Sequence, residues 1–243
     1  MRTCLSIAVL AALSLPAAAF ARQAPADADA TGWTGQGELG LAISKGNTDS
    51  QTLVGKLNAA HEGALWKNAF GAAFLYGKSD DVESARRYEA FGTTGRRLGE
   101  KSYLFGSLRT ERDHFAAYEY QWTGAVGYGY EAIKNEATHL TFEVGPGYRW
   151  SKLQDVRVHE NEAIARGYMD FGHQLTPTTS LYDTLLVEAG KDNTFAKNDL
   201  GVQVAMTDAL ALKAGLEVRH NTDVLPGVKK TDTLTTVNVV YGF

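Results

Sequence analysis

Several things are scarce in this 243-residue chain. One cysteine, Cys4, is present, which excludes an intramolecular disulfide framework and any cysteine-rich metal site. Beyond the N-terminus there is no apolar run of about 18 residues, which excludes helical membrane spans. No basic patch stands out against a formal net charge of −4, which argues against nucleic acid as a partner. Proline is low, at 5 residues. Glycine is plentiful at 25, and Tyr, Phe and Trp reach 10%. With 44% hydrophobic and 21% charged residues the chain is a folding sequence, and its aromatic share suits sheet and interfaces.

The first 21 residues read as a secretory signal. Arg2 supplies the positive end, Leu5 to Leu15 a short apolar core, and Ala19-Phe20-Ala21 a small-x-small cleavage site, so Arg22 begins the mature chain. Cleavage removes Arg2 and no acid, taking the charge from −4 to −5, and removes Cys4. Residues 22–32 then read as a flexible leader and 33–243 as the folded domain.

From Trp33 onward the polarity alternates with period two. Leu39, Leu41 and Ile43 share a face with Trp33, opposite Gln36, Glu38 and Ser44. Tyr118, Tyr120, Trp122, Val126, Tyr128 and Tyr130 oppose Glu119, Gln121, Thr123 and Glu131. Leu140, Phe142, Val144, Tyr148 and Trp150 oppose Thr141, Glu143, Arg149 and Ser151. The aromatics gather toward segment ends and the smaller apolar residues toward the middle, as a face meeting headgroups at its ends and hydrocarbon between requires. About twelve such segments are expected, with parity ambiguous in 86–97 and 102–112. Their connections alternate between short ones, such as Leu98 to Lys101, and longer polar ones at 78–85, 151–161, 190–198 and 220–231. Every backbone polar group inside a bilayer must be paired, so a membrane-spanning sheet has to close on itself. The expectation is therefore all-β: a transmembrane antiparallel β-barrel, an up-and-down meander. A soluble sandwich or barrel is the competing architecture, disfavoured by glycines and polar residues on the inward face. The last strand ends with Tyr241 and Phe243 on one face, similar to the signal read by outer-membrane assembly machinery. Its usual glycine is replaced here by Asn238.

The chain resembles the DUF481 family, also described as YdiY-like or salt-induced outer-membrane proteins. The resemblance rests on Trp33-Thr34-Gly35, Gly46-Asn47-Thr48-Asp49-Ser50, Glu111-Arg112-Asp113-His114-Phe115, Gly145-Pro146-Gly147-Tyr148-Arg149, Asn161-Glu162-Ala163-Ile164-Ala165-Arg166 and Lys230-Thr231-Asp232-Thr233. It implies a Gram-negative outer-membrane barrel and no catalytic residues.

Enzymatic constellations are not recognised. The six histidines form no His-x-Ser pair and no His-Glu-x-x-His spacing. Asp80-Asp81 with His114 is the nearest approach to a protease-like rim, and loop acids are ordinarily just solvated. No catalytic, cofactor or metal site is expected. In each of Arg86-Arg87 and Arg96-Arg97, one arginine should point inward and the other sit at a membrane interface. A closing seam should bring Asn47 and Asp49 toward Lys230 and Asp232, as a seam cap or a small polar site. Glu119, Glu131, Glu143 and Arg149, with Lys213, Glu217 and Arg219, are expected to face the lumen. They leave two readings open: a narrow channel for small ions or solutes, or a barrel plugged by ion pairs. Partners are otherwise outer-membrane lipids and, during biogenesis, the assembly machinery.

Overall fold

The computed structural model describes residues 32–44, 50–116, 118–154, 158–224 and 229–243; the expected signal and cleavage site, and nearly all of the expected leader, lie outside them. Twelve strands follow one another: β1(Gly32–Ser44), β2(Ser50–Glu62), β3(Trp66–Ser79), β4(Val82–Arg97), β5(Ser102–Asp113), β6(Tyr118–Lys134), β7(Thr138–Leu153), β8(His159–Thr176), β9(Thr179–Gly190), β10(Thr194–Ala205), β11(Leu210–Asn221) and β12(Thr231–Gly242). Each pairs antiparallel with its sequence neighbours, and β1 pairs β12 to close the barrel. β1 takes in Gly32, the last residue of the expected leader.

The seam runs from Gln36↔Gly242 to Gly40↔Asn238. Beyond it, Phe243 and Gly35 exchange backbone hydrogen bonds of 2.8 and 2.9 Å, which ties the terminal residue to the first strand. Asn238, which stands where the resembled signal would have glycine, uses its amide in the seam. It is buried, donates to Glu38 Oε2 at 3.2 Å and lies directly above Gly40.

The five connections at the end holding Gly32 and Phe243 are short, as expected. At the opposite end two expected long loops are tight hairpins. Residues 78–85 turn on Asp80 and Asp81 alone, at φ 49° and 63°, left-handed conformations that aspartate tolerates. Only residues 191–193 separate β9 from β10. In both cases polar residues beside the turn, Lys78 and Glu83 in one and Lys197 and Asn198 in the other, belong to the strands, which polarity alone does not distinguish from loop.

Direct register partners share a face, so the pairing settles the ambiguous strands. Arg87, Glu89, Phe91, Thr93 and Arg97 of β4 face the lumen with Tyr103, Phe105, Ser107, Arg109 and Glu111 of β5. Arg86 and Arg96 take the outward parity, so each arginine pair divides as anticipated. On the outward side Val126 and Val144 are 61% and 63% exposed, while Trp122 and Trp150 lie nearer one rim and Tyr128 and Tyr130 nearer the other. Such exposure is stable only against hydrocarbon with interfacial aromatics at its margins.

Where β6 meets β7 the walls leave no space for side chains. A Cβ on Gly145 would lie 2.0 Å from the Val126 carbonyl oxygen, and one on Gly127 would lie 2.2 Å from that of Val144. Pro146 donates no hydrogen bond here, yet the register on either side of it is unshifted. The rings of Phe105 and Tyr103 cover Gly127 and Gly129 from the lumen.

Candidate functional site: a charge layer across the lumen

The inward face of a strand alternates out of phase with its lipid face, so its polar residues must be satisfied by other walls or by water. Here they are satisfied by other walls. Arg109 of β5 grips Glu188 of β9 through two bonds, Nε to Oε1 at 3.1 Å and Nη2 to Oε2 at 2.7 Å, and its Nη1 reaches Glu111 at 2.8 Å. Arg219 of β11 bonds Glu111 on β5 and lies 3.3 Å from Glu89 on β4. Lys197 of β10 donates to the same Glu89 at 2.7 Å. Arg87 of β4 faces Glu217 of β11 at 3.5 Å. In a ring of twelve strands, β11 lies opposite β5 and β10 opposite β4. These contacts therefore cross the lumen from wall to wall.

Four cations, Arg87, Arg109, Lys197 and Arg219, meet four carboxylates, Glu89, Glu111, Glu188 and Glu217, so the layer is charge-balanced. Phe195, 1% exposed, lies under two of the guanidinium groups, with Arg109 at 4.7 Å and Arg219 at 5.0 Å from its ring centre. Stacking and bidentate pairing both exploit the planar guanidinium and leave it little freedom. Beside the layer, Lys56 of β2 bonds Asp199 of β10 at 2.8 Å, and Tyr182 donates to that carboxylate at 3.2 Å. Lys213 bonds Glu38 at 2.9 Å.

The sequence-predicted residues distribute among several sites. Glu217 and Arg219 belong to the cross-lumen layer. Glu143 points inward but pairs locally, accepting from Tyr103 and Arg166 at 2.7 Å each. Glu131 points inward near the terminal end, paired with Lys67 and, at 3.2 Å, with Arg97. Arg149, 1% exposed, is an anchor rather than a free wall charge. It bonds Glu162 at 2.8 Å and the backbone carbonyls of Asn193 and Glu188 at 2.9 and 2.8 Å, clamping the β9–β10 hairpin.

Glu119 does not face the lumen. An irregularity in β6 between Tyr118 and Tyr120 changes the parity, so Glu119 pairs at the rim with Lys152 and with Arg112 at 3.5 Å. Tyr118 turns inward in its stead and reaches Glu160 at 3.3 Å. A bulge adds one residue to one strand and reverses the alternation beyond it.

Of the seam cluster, Asn47 and Asp49 lie outside the described residues. Lys230 and Asp232 are exposed, and Asp232 is in register with Arg219 of β11. Asp81 occupies the β3–β4 turn with Asp80, while His114 pairs with Arg86 at 3.0 Å. Arg109, Glu188, Glu89, Lys197 and Phe195 were not singled out from the sequence. Period-two parity carried through β4 and β5 would have marked Arg109 and Glu89 as inward, but not as partners.

A closed meander with an apolar, aromatic-edged outer face and an ion-paired lumen is a transmembrane β-barrel of the outer-membrane type. The chain belongs to the DUF481 family of proteins of unknown function, whose model matches residues 37–243. It is 26% identical over 208 residues to the uncharacterized protein YdiY of Escherichia coli (strain K12), covering 83% of this chain and 80% of that one. Among solved structures, the COG4313 outer membrane channel of Pseudomonas putida F1 aligns with 90% of this chain and 99% of its own. Its TM-score is 0.53 at 11% identity, a likeness of fold.

Proposed function

We propose that this protein resides in the Gram-negative outer membrane, exported by a signal cleaved before Arg22, with its hairpins at 80–81 and 191–193 toward the cell exterior. There it serves as a constricted barrel held shut by the charge layer, rather than as a general porin. The carrying observation is the reach of Arg219 on β11 to Glu111 on β5, the opposite wall. An ion crossing this level would have to displace paired, largely desolvated charges, and one-sided removal of such a charge is costly. The layer carries equal numbers of both signs, so it supports no strong ion preference. Phe91 favours a second reading, a narrow route for small ions or solutes: it points inward and is still 40% exposed, so part of the lumen is open beside the layer. The reading assigns no catalytic step.

Planar-bilayer recording of the purified barrel tests this. The unmodified protein is expected to show no steady large current, and Arg219→Ala to raise the current. A large, unselective conductance in the unmodified protein would overturn the proposal. Small resolved steps in it would favour the narrow route.

A further inference from the structure

The wall of the barrel is not equally closed all round. β1 meets β2 through thirteen register pairs, up to Ser44↔Ser50, and β12 meets β11 through eleven, up to His220↔Thr231. Between β1 and β12 there are five, and they stop at Gly40↔Asn238. Continuing that register would set Leu41 to Ser44 against Val237 to Leu234, but among the described residues no pair forms there. Both strands run on, each held on its far side by its other neighbour. The seam is therefore zipped from the Phe243 end as far as Asn238 and parted beyond it, which leaves a notch in the wall.

Polar groups mark the foot of the notch. Glu38 accepts from Lys213 at 2.9 Å and from the Asn238 amide at 3.2 Å. Asn238 Oδ1 is buried there without a donor. A cavity of about 640 Å³ lies against the seam at this point. Residues of both faces line it: Leu39, Leu41 and Val237 from the lipid face, Glu38, Lys56 and Asn238 from the lumen face. Leu41 and Val237 are 63% and 65% exposed. Leu234 is in register with Glu217 and Asp232 with Arg219, so the notch opens level with the charge layer.

A strand edge without its ladder is unfavourable in hydrocarbon, because its N–H and C=O groups meet no water. A lipid tail supplies no hydrogen bond. A hydroxyl-bearing head supplies both kinds, giving bonds to carbonyls and accepting them from N–H groups. An uncharged head also suits a lumen wall whose charges are already paired. The apolar chain of such a molecule covers Leu39, Leu41 and Val237. The cavity falls within the roughly 300–1,000 Å³ of small-molecule sites, which fits one chain rather than a lipid of several. We infer that the parted β1–β12 seam is a lateral portal for a single-chain amphiphile with an uncharged, hydroxyl-bearing head, of the monoacylglycerol type. The amphiphile passes between the outer leaflet and the lumen at the level of the charge layer without crossing it. The inference rests on the orientation proposed above, with the notch toward the exterior.

Photolabelling of the folded barrel in lipid vesicles tests this. The probe is a monoacylglycerol with a diazirine on its chain next to the head, and adducts are mapped by peptide mass spectrometry. Thr236 faces the lumen beside the notch, in register with Gly215, and Ser107 faces it from β5, in register with Thr93 and Ala125. Adducts are expected on Thr236 and not on Ser107. Leu41→Trp with Val237→Trp fills the mouth of the notch from the lipid face. It is expected to abolish the Thr236 adduct while the folded band on a semi-native gel persists. Asn238→Ala removes the bond to Glu38 and is expected to increase the adduct. The inference is overturned if Thr236 is labelled no more than Ser107, if the filled chain is labelled like its parent, or if Asn238→Ala lowers the labelling. It is also overturned if Leu41→Cys in native membranes is bismaleimide-linked to a second protein, which would make the notch a strand-docking site. A large axial current in the unmodified protein would overturn the shut-barrel reading and leave these adducts as they are.

Discussion

Removing Arg109 gives the sharpest measure of the lumen layer. Arg109→Ala deletes two bonds to Glu188, one to Glu111 and the stacking on Phe195. Glu188 is 1% exposed and keeps only Thr123 at 3.4 Å and Arg149 at 3.6 Å, whereas Glu111 keeps Arg219. Breaking one side of a buried pair costs about 3–5 kcal/mol, and the residual partners place this variant near the lower figure, about 3 kcal/mol. Arg109→Lys retains the charge but loses the fork and the stacking, at about 1–2 kcal/mol. Arg109→Met with Glu188→Leu removes both partners of the tightest pair and should lie within about 1 kcal/mol of the parent. Urea unfolding in lipid vesicles, followed by tryptophan fluorescence and by the folded band on a semi-native gel, measures all three. The same alanine variant should admit current in a bilayer. A cost below about 1 kcal/mol for Arg109→Ala, or a double variant as unstable as the single one, would refute the view that buried pairing organises the lumen. Arg112→Ala, whose side chain is 56% exposed at the rim, should leave the midpoint unmoved.

Four further outcomes are expected. Gly145→Ala places a Cβ 2.0 Å from the Val126 carbonyl oxygen, and should lower stability by about 2–3 kcal/mol in the same urea titration. Arg149→Ala frees the carbonyls of Glu188 and Asn193, so amide exchange should speed up at the β9–β10 hairpin before it does elsewhere. Tyr241→Ala with Phe243→Ala removes a stacked outward pair at 6.3 Å and should deplete folded barrel from the membrane fraction; Asn238→Ala should instead leave assembly largely intact and weaken the seam. Intact-mass measurement of membrane-extracted protein should find a chain beginning at Arg22, and a chain retaining Met1 would refute the cleavage reading.

Much of the architecture is local and was therefore legible in the residues. Period-two alternation from Trp33 onward, aromatics at segment ends, and short connections such as Leu98 to Lys101 are statements about neighbours in sequence, and a strand obeys them residue by residue. They define twelve strands, a closed barrel, and the inward direction of Glu131, Glu143 and Arg149. Alternation failed where a local exception intervened. The bulge before Tyr120 sent Glu119 to the rim, and the left-handed turn at Asp80-Asp81 replaced a loop. It was ambiguous in β4 and β5, because Phe91, Tyr103 and Phe105 are inward aromatics that polarity assigns to lipid.

What alternation could not contain is which inward residues meet. Facing is a property of one strand. Partnership across a lumen depends on strand number and on the stagger between strands, and both are fixed only when the sheet closes. Arg109 and Glu188 lie 79 residues apart and Arg219 and Glu111 lie 108 apart, so no spacing in the sequence joins them. The tertiary structure alone decided that charges expected to line a wall instead bridge opposite walls. It also decided that β1 and β12 part beyond Gly40 and Asn238, although both run on as strands.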